Sequence, residues 1–129
     1  MSRKGFTLLE LMIVIVIIGI LAGIGAPRYF DAIETARGAE AKGTLGEIYK
    51  IEQAYYTINS GYMPAATVSN GVAVGVDLDG DGTEDISMVI PNSVNFTYSN
   101  TLTAVTATKA GTTKKSWQIS LTSGAITEI

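Results

Sequence analysis

The sequence predicts an α+β protein: one long N-terminal helix, half membrane-spanning and half amphipathic, packed on a C-terminal antiparallel sheet of about four strands. Three observations carry this expectation. Phe6–Ala26 is apolar except for Thr7 and Glu10; the next thirty or so residues repeat apolar side chains at helical intervals; and beyond Gly61 apolar residues alternate with small or polar ones between turn-forming clusters. The implied organisation is a short basic segment at residues 1–5, a hydrophobic helix at 6–27, an amphipathic helix at 28–61 and a β domain at 62–129 that carries an acidic loop at 77–85.

The first helix follows from length and charge. At ~1.5 Å rise per residue, Phe6–Ala26 would be roughly 31 Å long, close to the ~30 Å hydrocarbon core of a bilayer. Arg3 and Lys4 precede the span, which predicts that they stay cytoplasmic and that the rest of the chain is exported. A cleaved signal peptide would have a shorter apolar stretch followed by an A-x-A-like site. None is evident, so the apolar segment is expected to remain in the protein.

Pro27 ends the apolar run without ending the helix. Ile33, Ala36, Ala41, Leu45, Ile48, Ile51, Tyr55 and Ile58 form one stripe, with Glu34, Arg37, Glu40, Lys42, Glu47 and Lys50 between them. Asn59-Ser60-Gly61 is the expected stop. A continuous helix from Phe6 to there would be on the order of 80 Å long. A small domain cannot cover that length, so the first half needs lipid or further copies of the chain around it.

The remaining residues read as four or five short strands of an antiparallel meander. Alternation centres on Val72, Val74 and Val76; on Ile86, Met88 and Ile90; on Val94, Phe96 and Tyr98; and on Trp117, Ile119 and Leu121. Asp79–Thr83, Pro91–Ser93, Ala110–Thr113 and Ser123-Gly124 supply turns. The stripe from Leu45 to Ile58 is expected to pack on this sheet as one core.

Composition removes several function classes. The chain has 129 residues, a net charge of −3 and neither histidine nor cysteine. This excludes Cys or His nucleophiles, a Ser-His-Asp triad and every metal site built on nitrogen or sulfur ligands. Any metal must be a hard cation held by oxygen. The basic residues are scattered, so no direct nucleic-acid site is evident. No enzyme is expected. Asn95-Phe96-Thr97 is a glycosylation-type sequon placed in a strand, and core packing accounts for the aromatic residues at Tyr29, Phe30, Tyr49, Tyr55, Tyr56 and Tyr62 better than electron transport does.

Arg3-Lys4-Gly5-Phe6-Thr7-Leu8-Leu9-Glu10 is a short basic leader ending in glycine, then phenylalanine, with a glutamate four residues on. With the apolar run and Pro27, it resembles the N-terminal signature of the type IV pilin and pseudopilin family. The resemblance implies cleavage between Gly5 and Phe6 by a prepilin peptidase, N-methylation of Phe6, and extraction from the inner membrane by an assembly machinery. The product would be a homopolymer, an extracellular helical filament whose core is made of these helices. Phe6, Glu10 and Pro27 are then the assembly residues, and Glu10 neutralises the Phe6 amino group of a neighbouring subunit.

Glu10 stands out on physical grounds as well. A carboxylate in mid-span costs roughly 2.5–3.5 kcal/mol to insert. Near the cytoplasmic end it either snorkels to the interface or awaits an ion-pair partner. Gly19, Gly23, Gly25 and Pro27 weaken the helix, by ~1 kcal/mol per glycine and ~3 for proline where the helix is water-exposed. They suit either close packing of small helix faces or a segment that melts in the fibre, as the family resemblance implies.

The second motif is the acidic loop. Asp77, Asp79 and Asp81 occupy positions 1, 3 and 5 of a calcium-loop pattern, Gly82 position 6, the Thr83 carbonyl position 7 and Asp85 position 9. The glutamate expected at position 12 is replaced by Met88, and strands flank the loop, so it is not an EF-hand. Calcium is the one cofactor expected, holding the exported β domain together where many family members use a disulfide; a solvated turn is the alternative. The leading function is therefore a major pilin serving adhesion, motility or DNA uptake. The runner-up is the major pseudopilin of a type II secretion system, and the reading from another class is a membrane-anchored calcium-binding module.

Overall fold

A computed structural model describes residues 5–65, 67–111 and 115–129. The basic leader residues Arg3 and Lys4, and Thr112 and Thr113 of the third expected turn, lie outside the described residues. Helix α1 runs unbroken from Leu8 to Asn59. It begins where Thr7 caps it and continues through Pro27. It stops at the expected place, but Ser60 and not Gly61 takes the left-handed conformation, with φ of 53°. The Ser60 N–H closes the last turn on the Tyr56 carbonyl at 2.9 Å. The chain divides into two compact units, residues 1–35 and Ala36–Ile129.

Among the described residues the second unit holds six strands: β1 (Ala73–Val76), β2 (Ile86–Val89), β3 (Phe96–Asn100), β4 (Ala104–Lys109), β5 (Trp117–Ser120) and β6 (Ile126–Glu128). All pairings are antiparallel, but the expected single meander is two sheets: a β1-β2 hairpin and a four-stranded β3-β4-β5-β6 sheet. Four expected strand positions fall elsewhere. Val94 is 83% exposed and precedes β3, Val72 precedes β1, Ile90 follows β2 and Leu121 follows β5, the last two nonetheless buried.

The core forms between the helix and the sheets. Ala41, Leu45, Ile48 and Ile51 meet Val74, Val76, Ile90, Phe96, Tyr98, Val105, Ala107, Ile119 and Leu121 in one cluster. The spacing of the helical members keeps them on one face of α1. Ile58 drifts off that face and is 46% exposed, so the stripe is shorter than its periodicity suggested. Lys42 stands over the Trp117 ring at 3.9 Å.

Side chains do much of the joining in this unit. The Leu121 carbonyl accepts from Gln53 Nε2 and from the Tyr62 hydroxyl, both at 2.7 Å, which fastens the end of β5 to α1. Glu40 accepts from Ser93 Oγ at 2.6 Å and from Asn95 Nδ2 at 3.0 Å, fastening the β2–β3 connection. The Asn70 amide lies along the outer edge of β3, donating to the Phe96 carbonyl at 2.9 Å and accepting the Tyr98 N–H at 2.7 Å. It covers backbone groups that an edge strand would otherwise leave open to another chain.

Candidate functional site: an exposed apolar helix and an acidic loop

Chemistry-bearing residues fall in two places. The first is the start of α1. Every large apolar side chain from Phe6 to Ile24 is exposed, from 89% at Phe6 to 47% at Val14, and an apolar window of this helix has a mean hydropathy of 2.8 with none of it buried. Among the described residues α1 is the one helix long and apolar enough to cross a membrane. So large a contiguous apolar surface is not stable against water and must be covered by lipid or protein.

Glu10 is already engaged within its own chain. Its Oε2 accepts the Thr7 N–H at 2.8 Å and the Thr7 hydroxyl at 2.9 Å, while Thr7 Oγ1 accepts the Glu10 N–H at 3.2 Å. This is a reciprocal capping box, T-x-x-E, which satisfies two of the backbone donors that a helix start leaves without partners. The sequence reading weighed Glu10 as a snorkelling carboxylate or an ion-pair partner and missed Thr7. The signal was present in the three-residue spacing ahead of an apolar run. Gly5 and Phe6 lie exposed immediately before the cap. Gly19, Gly23 and Gly25 have open space around them, and the segment from Gly19 to Pro27 is helical.

The second place is the loop joining β1 to β2. Asp77 organises it: Oδ1 accepts the Gly80 N–H at 2.6 Å and Oδ2 the Gly82 N–H at 2.8 Å. These bonds require the chain to double back, and Gly80 and Gly82 supply the positive φ values of 79° and 90°. Asp85 accepts the Leu78 N–H at 2.7 Å across the base of the loop. Asp77, Asp79 and Asp85 each bring one carboxylate oxygen within 4.8 Å of the other two.

Of the five residues expected to bind calcium, these three converge. Asp81 instead accepts the Thr83 N–H at 2.7 Å and the Thr83 hydroxyl. Glu84 lies against Gly75, where an added Cβ would meet its carboxyl group and sit 2.8 Å from Ser87 Cβ. The backbone N–H groups of Gly82 and Gly80 hold the Asp77 carboxyl below the ordinary aspartate range, and the Thr83 hydroxyl and N–H do the same for Asp81. Depressed carboxylates stabilise the folded loop above their unfolded-state values, and that contribution is lost as pH falls through the lowered ones.

Sequence reasoning overlooked a third group. Glu52, on the core face of α1, is fully buried and accepts the Met63 N–H at 2.9 Å and Asn100 Nδ2 at 3.2 Å.

Comparison with known proteins bears on the first place. Residues 1–26 match the family described as "Prokaryotic N-terminal methylation motif". The chain is 41% identical over 86 residues to a fimbrial protein of Neisseria meningitidis serogroup A, covering 67% of this chain and 50% of that one. It is 40% identical over 86 residues to the type IV major pilin protein PilE of Neisseria gonorrhoeae, covering 67% and 51%. It is 39% identical over 60 residues to the type IV major pilin protein PilA of Myxococcus xanthus, covering 46% and 27%. The chain spans about half the length of the Neisseria relatives. No solved structure matches it.

Proposed function

We propose that this chain, whose N-terminal segment is that of a type IV pilin, is the structural subunit of a type IV pilus, a major pilin and not an enzyme. The carrying observation is the coincidence, in one segment, of the matched methylation motif and a helix half whose entire apolar surface is exposed. In the precursor that surface lies in the inner membrane as a single span. A prepilin peptidase cuts between Gly5 and Phe6, Phe6 is N-methylated, and the assembly machinery moves the helix from lipid into the core of an extracellular fibre. Burial in either setting keeps the apolar surface from water.

Glu10 sets the register. In the fibre core its carboxylate leaves Thr7 and neutralises the Phe6 amino group of a neighbouring subunit. A charge left without its partner there costs about 3–5 kcal/mol, which rejects misplaced subunits. Gly19, Gly23, Gly25 and Pro27 make the segment that loses helical bonds under this packing, Pro27 having no N–H to give. Electron microscopy of material sheared from cells that express the chain tests the reading: long fibres containing it are expected, and a protein that stays entirely in the membrane fraction contradicts it. Adhesion, motility and DNA uptake are all served by such a fibre.

The acidic loop supports calcium as the ion that stabilises the β domain after export. Its donors are hard carboxylate oxygens, and three already converge. Asp77, Asp79 and Asp85 would hold the ion, which would supply charge neutralisation and a cross-link between β1 and β2. Extracellular modules of this kind bind at about 10⁻⁴–10⁻³ M, so the site fills outside the cell. At tenfold excess over Kd the stabilisation is about 1.4 kcal/mol. Calcium is expected to raise the Tm of the chain and Asp79→Asn to abolish the rise; a Tm that is the same with calcium and with chelator refutes the assignment. The same loop favours the pseudopilin of a secretion system as the second reading, and genes for a pilus or a secretion apparatus beside this one separate the two.

A further inference from the structure

Glu52 is fully buried, and among the described residues no base pairs with it. It lies one heptad beyond Leu45 and one turn beyond Ile48, on the face of α1 that packs on the sheets. Its two oxygens divide the work. Oε2 accepts the Met63 N–H at 2.9 Å, in the connection that leaves α1, and Oε1 accepts Asn100 Nδ2 at 3.2 Å, at the end of β3. Asn100 extends the network, accepting the Val68 N–H at 3.1 Å and donating to the Pro64 carbonyl at 3.1 Å. One carboxylate thus joins the helix, the connection and the four-stranded sheet.

Among the described residues the surroundings contain no compensating charge. On α1 the residues one turn away are Ile48, Tyr49, Tyr55 and Tyr56, while Lys50 projects from the opposite side and is exposed. The connection brings Tyr62 and no charged residue, and β3 brings Tyr98 and no charged residue. A charge in such a place is expensive unless it is paired, and two N–H donors offset only part of the cost. Burial pushes the Glu52 carboxyl above the ordinary glutamate range, the Met63 N–H and Asn100 amide opposing that rise, and no charged group contributes.

We propose that Glu52 is a proton-responsive latch in the globular unit: charged, it grips both Met63 and Asn100; neutral, it keeps Met63 and releases Asn100. The longer bond, on Oε1, is the one given up. The proton comes from solvent onto Oε1, which then has a hydroxyl facing the Asn100 amide donor, while Oε2 remains an acceptor for Met63. Asn100 stays attached through Val68 and Pro64, so the change is a local loosening and not an unfolding.

The energetic sign is fixed by linkage. Above its raised folded value Glu52 is charged in both states and costs the folded unit stability. As pH falls through that value the folded unit takes up a proton that the unfolded chain does not yet hold, so stability rises until the ordinary glutamate range is passed. This is opposite in sign to the loop aspartates Asp77 and Asp81, whose contribution is lost at lower pH.

The test uses the full chain in detergent micelles with ¹³C-labelled glutamate carboxyls. One carboxyl is expected to titrate at distinctly higher pH than the others, with the Asn100 side-chain amide signals shifting at the same midpoint. In Glu52→Gln that titration disappears, and the rise of Tm on mild acidification disappears with it. Every glutamate titrating in the ordinary range, or Asn100 signals that do not follow, overturns the proposal. So does a Tm profile that Glu52→Gln leaves unchanged. If Glu52→Gln does not fold, the Asn100 signals of the unsubstituted chain decide the matter alone.

Discussion

Glu10→Ala is expected to leave membrane insertion intact and to reduce incorporation into surface fibres by about a hundredfold or more, since about 3–5 kcal/mol is lost when one charge of a buried pair is left alone. Insertion is unharmed because removing a carboxylate from an apolar span makes insertion easier. The capping box complicates a simple reading of this variant, because alanine also deletes the bond from Thr7 N–H to Glu10 and weakens the helix start. That loss is worth about 0.5–1.5 kcal/mol, the scale of one hydrogen bond. Glu10→Gln separates the two effects. Glutamine serves in a capping box, so the helix start survives while the charge does not. If the charge sets register, Glu10→Gln fails to assemble as Glu10→Ala does. If the cap is what matters, Glu10→Gln restores fibres, and the ion-pair role is refuted. The readout is the share of the chain in sheared fibres relative to membranes.

Leu45→Ala is expected to destabilise the globular unit by about 2–5 kcal/mol. Leu45 has no exposed surface, and the helix and sheets that surround it are joined by fixed hydrogen bonds, so the cavity collapses only partly. At roughly 4–8 °C per kcal/mol for a domain of this size, Tm falls by about 10 °C or more. Ile58→Ala is the internal control. It carries a similar side chain in the same helix, but at 46% exposure its loss is expected within about 0.5–1 kcal/mol. Thermal melts of the two variants in detergent should differ widely. Equal losses would mean that the helical face reading Ala41, Leu45, Ile48 and Ile51 is not the one that forms the core.

The contrast between those residues shows how far periodicity reaches. Apolar spacing in the sequence identified the stripe and its partner sheet, because a half-buried helix must repeat every 3.6 residues. It could not show where the stripe leaves the core, since that depends on where the sheet ends. Val94 illustrates the same limit in the sheet: it alternates correctly with Phe96 and Tyr98 but lies ahead of the first paired residue of β3. Strand β4 was invisible for another reason. Its buried residues are Ala104, Val105 and Ala107, small side chains whose alternation with threonine is faint. Strand β6, Ile126–Glu128, is three exposed residues recognised only by pairing with β5.

The candidate functional residues divide along similar lines. The apolar run and the methylation motif matched over residues 1–26 were legible because membrane length and a fixed motif leave few alternatives. The loop aspartates were legible as a pattern, but the turn toward Thr83 that takes Asp81 away from the cluster depends on backbone geometry that glycines permit and do not announce. Glu52 was hidden by its chemistry. A glutamate in an amphipathic helix reads as a solvated side chain, and only its heptad relation to Leu45 marks it as facing the core.

The proposed pilus subunit requires processing at Gly5-Phe6 and polymerisation through its N-terminal helix. Intact-mass spectrometry of subunits from purified surface fibres tests it most directly. The expected subunit is a chain that begins at Phe6 and carries one added methyl group on its amino terminus. Fibre subunits that retain residues 1–5, or fibres that do not contain this chain, would contradict it.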